Sequence, residues 1–249
     1  HRDLKPSNIL LDAQGEPHLS DFGLAKWVAE EPGIRHGLTL DGTTMGTPHY
    51  LAPEVAKSGA AAATASSDVY ALGVLLYELL AGSTPFDQKK LQEAGEQEIR
   101  RIISEETPAK PSEVLAAMPR EAAAKIAARQ QSSPALLAAA MREDLDWIVM
   151  KAMQKDRNQR YETANGLAMD VERYLLSEPI VARPNNNRYR LNKLVNRNRL
   201  VFTAGTLAGV ALLIGIGISG MQTYRITQVE HEHDRLRALA EQSERRAHE

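Results

Sequence analysis

HRDLKPSNIL occupies residues 1–10. A histidine, an arginine and an aspartate stand together, a lysine follows two residues after the aspartate, and an asparagine three residues beyond that. Charge this dense ahead of an apolar run marks either an inert polar loop or part of a catalytic one. The run NILLD leads into a turn signal, AQGE, and then PHLS, so Ile9–Ser20 reads as a small hairpin. Residues 24–50 are rich in Gly, Thr and Pro with weak periodicity. That is the pattern of a long surface loop, and such loops in compact domains usually carry function. SSDVYALGVLLYELLAGSTPF, residues 66–86, reads as a helix from about Ser67 to Leu80. It is apolar nearly all the way round and therefore central and buried, with Gly82 and Pro85 ending it.

Three short motifs stand in order: HRDLKPSN at His1–Asn8, DFG at Asp21–Gly23, and APE at Ala52–Glu54 within GTPHYLAPE. Each alone is a weak signal. In this order and spacing they resemble the catalytic loop, magnesium loop and activation-segment end of a eukaryotic-type serine/threonine protein kinase. The resemblance covers roughly residues 1–177 and implies a mainly α fold, a kinase C-terminal lobe with a small β-hairpin. It makes Asp3 the base that accepts and orients a substrate hydroxyl. Lys5 would offset charge on the transferring phosphate, and goes with serine/threonine rather than tyrosine specificity. Asn8 and Asp21 supply hard oxygen ligands suited to Mg²⁺ on the phosphates of ATP. Gly23 gives a switchable loop backbone freedom.

The same resemblance assigns Arg2 to pairing with a phosphorylated activation-loop residue, since a phosphate brings nearly two negative charges. Thr39, Thr43 and Thr44 are the candidates, Thr39 favoured by its distance before GTP. Thr47 would lie beside the substrate residue and Asp3, without being a phosphosite. Glu54 would pair with Arg160 in KDRNQRY. Asp68 would accept hydrogen bonds from the catalytic-loop backbone near His1 and Arg2, with a helix N-terminal role as its alternative. His1 reads as scaffold. His231 and His233 read as solvated residues of a charged tail.

The glycine-rich loop, the strand lysine and its glutamate partner of such kinases are not found in these 249 residues. The chain therefore reads as the C-terminal lobe and beyond of a longer polypeptide. On its own it is expected to transfer phosphate weakly or not at all, and to expose an apolar face of the Val69–Leu80 helix.

Further along, Ala-, Glu- and Pro-rich residues 88–142 read as short helices. About 91–145 looks like an insert and a solvated helical elaboration. REDLDWIVMKAMQ and TANGLAMDVERYLLS are amphipathic helices, closing a kinase-like region at 1–178. Pro179 and Pro184 mark a boundary, after which 179–199 reads as a basic juxtamembrane linker. LVFTAGTLAGVALLIGIGISGM, residues 200–221, carries no charge. As a helix it spans about 33 Å, against a hydrocarbon core of about 30 Å, so it reads as a single transmembrane helix. Residues 222–249 read as a charged helical extracytoplasmic tail.

Arg183, Arg188, Arg190, Lys193, Arg197 and Arg199 precede the apolar run, and no acidic residue follows Glu178 before it. The positive-inside bias puts the kinase part in the cytoplasm and makes anionic membrane lipid a partner. Gly205 and Gly209 form a GxxxG that would support a homodimer. The net charge of -2 gives no reason to expect a nucleic-acid partner, and the absence of cysteine excludes disulfides and thiolate metal sites. Protein substrates, ATP and Mg²⁺ are the implied partners. The rival readings are a non-catalytic pseudokinase and a membrane-tethered binding module or scaffold.

Overall fold

A computed structural model describes residues 1–22, 48–184 and 186–247 of the chain. These residues are mainly helical, with one two-stranded sheet. They divide into two units, His1–Arg190 and Leu191–Glu249.

In the first unit, strands β1 (Ile9–Leu11) and β2 (Pro17–Leu19) pair antiparallel, with Ile9 opposite Leu19 and Leu11 opposite Pro17. Asp12 builds the turn: one carboxylate oxygen accepts from the backbone N–H of both Gln14 and Glu16, at 2.9 Å each. Such Asx geometry is what an aspartate offers a turn. Gly15 takes the positive φ, 85°, that the turn requires.

Helix α1 (Pro53–Ser58) precedes the long helix α2 (Ala65–Ala81). Ser67 Oγ accepts from the Thr64 N–H at 3.0 Å to start α2. Gly82, left-handed at φ 70°, ends it. Val69, Tyr70, Val74, Tyr77 and Ala81 of α2 are at most 1% exposed. Among its apolar residues from Val69 to Leu80 only Leu79 is exposed, so the expected bare apolar face is not there. Leu4 covers Ala71 and Leu75 from one side. Helix α8 (Asp146–Ala152) packs so closely on another that a Cβ on Gly73 would lie 2.8 Å from the Ala152 Cβ.

Short helices α3 (Gln88–Glu93), α4 (Glu96–Glu105), α5 (Pro111–Ala117), α6 (Arg120–Arg129) and α7 (Pro134–Ala140) follow. A π turn, Met141–Leu145, joins α7 to α8. These elements do not form a solvated elaboration. Leu115, Ala127, Leu137, Met141 and Leu145 lie in the core around α2, and Ile99, Ile102 and Ile103 form a second core with Phe86, Leu91 and Ala56. Each short helix contributes only one to three buried apolar side chains; those of α5 to α7 pack around α2, those of α3 and α4 pack with Phe86 and α1, and that burial holds the helices there.

Helix α9 (Ala164–Leu175) comes next. The chain does not become a free linker at Pro179. Ile180 and Tyr189 are 5% and 8% exposed and belong to the main core, so the compact unit runs to Arg190. Helix α10 (Asn187–Arg197) begins within it.

The second unit is dominated by α11 (Arg199–Ala247), 49 residues in one helix and about 74 Å long. Its Arg199–Met221 part, with mean hydropathy 2.1, is long and apolar enough to cross a membrane.

Candidate active site

The opening loop is fixed from two directions. The main-chain nitrogens of His1 and Arg2 donate to the two carboxylate oxygens of Asp68, at 2.7 and 2.9 Å. Asp68 sits in the first turn of α2, so one carboxylate serves both the loop and the positive end of the helix dipole. From the other side, the His1 ring contacts the Ser20 carbonyl through Nε2 at 2.8 Å and takes the Asp3 N–H on Nδ1 at 3.3 Å. That pattern requires the tautomer with the proton on Nε2, which donates to Ser20. The His1 ring also meets the Phe22 ring, with centroids 4.8 Å apart.

Within this frame Asp3 has two neighbours from its own loop. Lys5 Nζ lies 2.9 Å from Asp3 Oδ2. Asn8 Nδ2 donates to the Asp3 carbonyl at 2.8 Å and to Oδ2 at 3.2 Å. The Asn8 side chain is buried, and committing its NH₂ to Asp3 turns Oδ1 the other way, where Ser7 Oγ stands at 3.5 Å.

The hairpin brings the second carboxylate in. Asn8 ends the loop just before β1, and Ser20 follows β2. The Ser20 N–H donates to the Asn8 carbonyl at 2.9 Å, one step beyond the Ile9–Leu19 pair. Asp21 is the next residue, between Ser20 and Phe22, both of which His1 anchors. Arg2 and Asp21 both have positive φ, 69° and 54°. For a non-glycine residue this costs on the order of 1 kcal/mol or more and persists where the surroundings enforce it.

A second cluster ties α1 to the segment after α8. Arg160 donates two parallel bonds to Glu54, Nη1 to Oε1 at 2.9 Å and Nη2 to Oε2 at 2.7 Å. The Arg160 side chain is fully buried. It also donates to the carbonyls of Gln154 and Ser66, at 2.7 and 2.9 Å, and lies over the Tyr70 ring. Ser67 Oγ donates to Glu54 Oε1 at 2.7 Å. Burial pushes the Glu54 pKa up, but the bonds from Arg160 and Ser67 outweigh it and hold the carboxyl below its usual value.

The structure therefore brings Asp3, Lys5 and Asn8 into contact, sets Asp21 across the hairpin from them, pairs Glu54 with Arg160, and joins Asp68 to the backbone of Arg2. Gly23, Thr39, Thr43, Thr44 and Thr47 lie outside the described residues. Among the described residues no cluster of three or more His, Asp or Glu side chains is arranged to hold a metal by itself.

Sequence reasoning missed several neighbours. Tyr50 donates its hydroxyl to Glu78 of α2, and burial followed by that acceptor raises the tyrosine pKa. His49 is buried, and desolvation lowers its pKa despite the nearby Glu78. Asp144 and Asp170 are fully buried. Each sits on the apolar stripe of its segment, Asp144 among Met141, Leu145 and Ile148, Asp170 among Leu167, Val171 and Tyr174. A carboxylate on such a stripe is a readable signal of a built hydrogen-bond site.

Comparison with known proteins agrees with this geometry. The family model described as protein kinase domain matches residues 1–171. Serine/threonine-protein kinase PrkC of Bacillus subtilis is 33% identical over 175 residues, 69% of this chain and 21% of that protein. Serine/threonine-protein kinase PknB of Mycobacterium tuberculosis is 33% identical over 179 residues, 72% of this chain and 23% of that protein. The DNA damage-responsive serine/threonine-protein kinase RqkA of Deinococcus radiodurans is 54% identical over 86 residues, 34% of this chain and 12% of that protein. The chain thus spans no more than about a quarter of the length of these relatives.

Proposed function

This chain belongs to the protein kinase family, and we propose that it is the catalytic-loop portion of a membrane-anchored serine/threonine kinase that moves the γ-phosphate of ATP to protein hydroxyls. The observation that carries the reading is the meeting of Lys5 and Asn8 on Asp3, with Asp21 next in sequence to Ser20, whose N–H pairs with the Asn8 carbonyl.

Asp3 would take the proton of the attacking serine or threonine hydroxyl and aim its oxygen. Asn8 holds the Asp3 carboxylate from one side, which fixes its direction. Lys5 is within reach of both Asp3 and a phosphate beside it, so it can balance charge as the phosphoryl group moves. Asn8 Oδ1 and the Asp21 carboxylate fit Mg²⁺ in donor type, the remaining ligands coming from phosphate and water. Bound ATP and Mg²⁺ supply the phosphoryl group and the charge neutralisation. Leu10, Leu11, Leu19 and Phe22 are exposed next to these residues and offer apolar surface to a nucleobase.

Arg2 would pair with a phosphate on Thr39, Thr43 or Thr44, and Thr47 would sit at the substrate hydroxyl. Glu54, Arg160 and Asp68 act as scaffold, holding the activation-segment end and the catalytic loop to α2. The kinase region, 1–178, is read as cytoplasmic, with Leu200–Met221 spanning the cell membrane once, the basic residues before it meeting anionic lipid, and 222–249 outside. Gly205 and Gly209 have no heavy atom within 4 Å of an added Cβ, which leaves room for a second copy at that face.

The test is a phosphotransfer assay on the full-length polypeptide with mixed protein substrates, followed by phosphoamino-acid analysis. Label on serine and threonine is the expected result. Label on tyrosine, or Mg·ATP binding without transfer, would replace this reading with another specificity or with a pseudokinase.

A further inference from the structure

Residues 179–199 were expected to be a basic juxtamembrane linker, yet buried side chains hold its first part to the lobe. Asp170, with no exposed surface, spends its two oxygens on four donors. Two are main-chain: the Val181 N–H reaches Oδ1 and the Ala182 N–H reaches Oδ2, each at 2.8 Å. Tyr161 donates to Oδ2 at 2.9 Å and Arg173 to Oδ1 at 2.8 Å. Eight residues on, the Tyr189 hydroxyl donates to buried Asp144 at 2.9 Å while accepting the Ile180 N–H at 3.2 Å. Arg183 closes the arrangement by donating to the Glu143 carbonyl at 2.7 Å and lying over the Tyr189 ring at 4.4 Å. A buried carboxylate left unpaired is costly, so Asp144 and Asp170 favour a seated segment over a loose one.

The length of the tether follows. If the chain were free from Glu178, twenty-two residues, 178–199, would separate the lobe from the apolar run and could extend about 75 Å. With 178–190 seated, nine remain, 191–199, reaching at most about 30 Å. We propose that residues 178–190 are a strap that shortens the tether between the lobe and the membrane span, so that the lobe works within a shell close to the bilayer and gains the longer reach only when the strap is released. This rests on reading Leu200–Met221 as a membrane span.

Hydrogen exchange on the full-length protein in lipid vesicles tests the seat. Peptides covering 178–190 are expected to exchange at least ten-fold slower than unstructured chain. Exchange at the unstructured rate, with α2 still protected, would overturn the proposal. Tyr189→Phe with Arg183→Ala should raise exchange in 178–190 at least ten-fold and leave α2 unchanged. Asp170→Asn is the lobe-side variant and should do the same. Exchange rising throughout the lobe in all of these variants would make the segment ordinary core and also overturn it.

The reach is read by energy transfer from a donor at Lys125→Cys to acceptor lipids. A ten-residue Gly/Ser insertion after Arg190 and the strap variants should both lower transfer. Unchanged transfer in the strap variants, with a drop for the insertion, would sink the tether claim. Failure of the wild-type protein to float with vesicles would sink the membrane reading, and the exchange result on the strap would stand or fall separately.

Discussion

Arg160 is a fully buried cation whose nitrogens all find acceptors, two of them on Glu54. Arg160→Ala would leave the Glu54 carboxylate without its cation, with the Ser67 hydroxyl its one remaining side-chain donor, and is expected to cost about 3–5 kcal/mol of stability, read from chemical denaturation. Arg160→Lys cannot restore the two-pronged geometry and should recover only part. Glu54 and Asp170 both have pKa values held below the ordinary carboxylate range, against burial, by hydrogen bonds. A lowered folded-state value means stability present above the unfolded pKa of about 4 and lost as pH falls through the depressed folded values. The gap between wild type and Arg160→Ala should therefore narrow in acid. Lys155 gives the same sign of slope in a different window: burial disfavours its cation and lowers the pKa to about 8, so stability should rise as pH climbs from about 8 to the ordinary lysine value. The Glu54–Arg160 pair and the bonds of Asp68 to the opening loop were legible from the motifs, and the same motifs single out Asp3, Lys5, Asn8 and Asp21 as candidates. The partners of Tyr50 and Asp144 were not legible, because Glu78 and Tyr189 lie 28 and 45 residues away and no motif names them; the two buried aspartates were readable only as charges on an apolar stripe, without their partners.

At the scale of elements, α2 was readable to within two residues, since an apolar run bounded by Thr64 and Gly82 has few other solutions. The hairpin was equally plain from its turn residues. The burial of α5 to α7 was hidden because alanine-rich helices carry weak amphipathic signals, whereas the Ile99, Ile102 and Ile103 stripe of α4 stood in the sequence; the seat of 178–190 was hidden by its prolines. Gly73 marks how tightly α2 meets α8, for an added Cβ would stand 2.8 and 2.9 Å from Ala152 and Met153. Gly73→Val is expected to lose about 1–3 kcal/mol or more through overpacking, seen as a lower melting temperature. Gly95→Ser, where an added Cβ meets nothing within 4 Å and the residue caps α4, should be neutral to slightly stabilising in the same measurement.

For the whole molecule, a helical lobe carries the candidate phosphotransfer residues on one hairpin and loop, and a separate long helix carries the apolar run. That run was the most legible feature of the second unit, because twenty-two residues without charge are long enough to span a bilayer. The extent of the lobe was less so, since only Ile180 and Tyr189 of its last thirteen residues enter the core and polar contacts hold the rest. The most direct measurement is the rate of phosphate transfer by the full-length protein carrying Asp3→Asn, with Mg·ATP affinity measured on the same sample. The expected result is a fall of about 10²-fold or more in rate, with affinity nearly unchanged. Transfer at the wild-type rate would contradict the role of Asp3 and with it the proposed site.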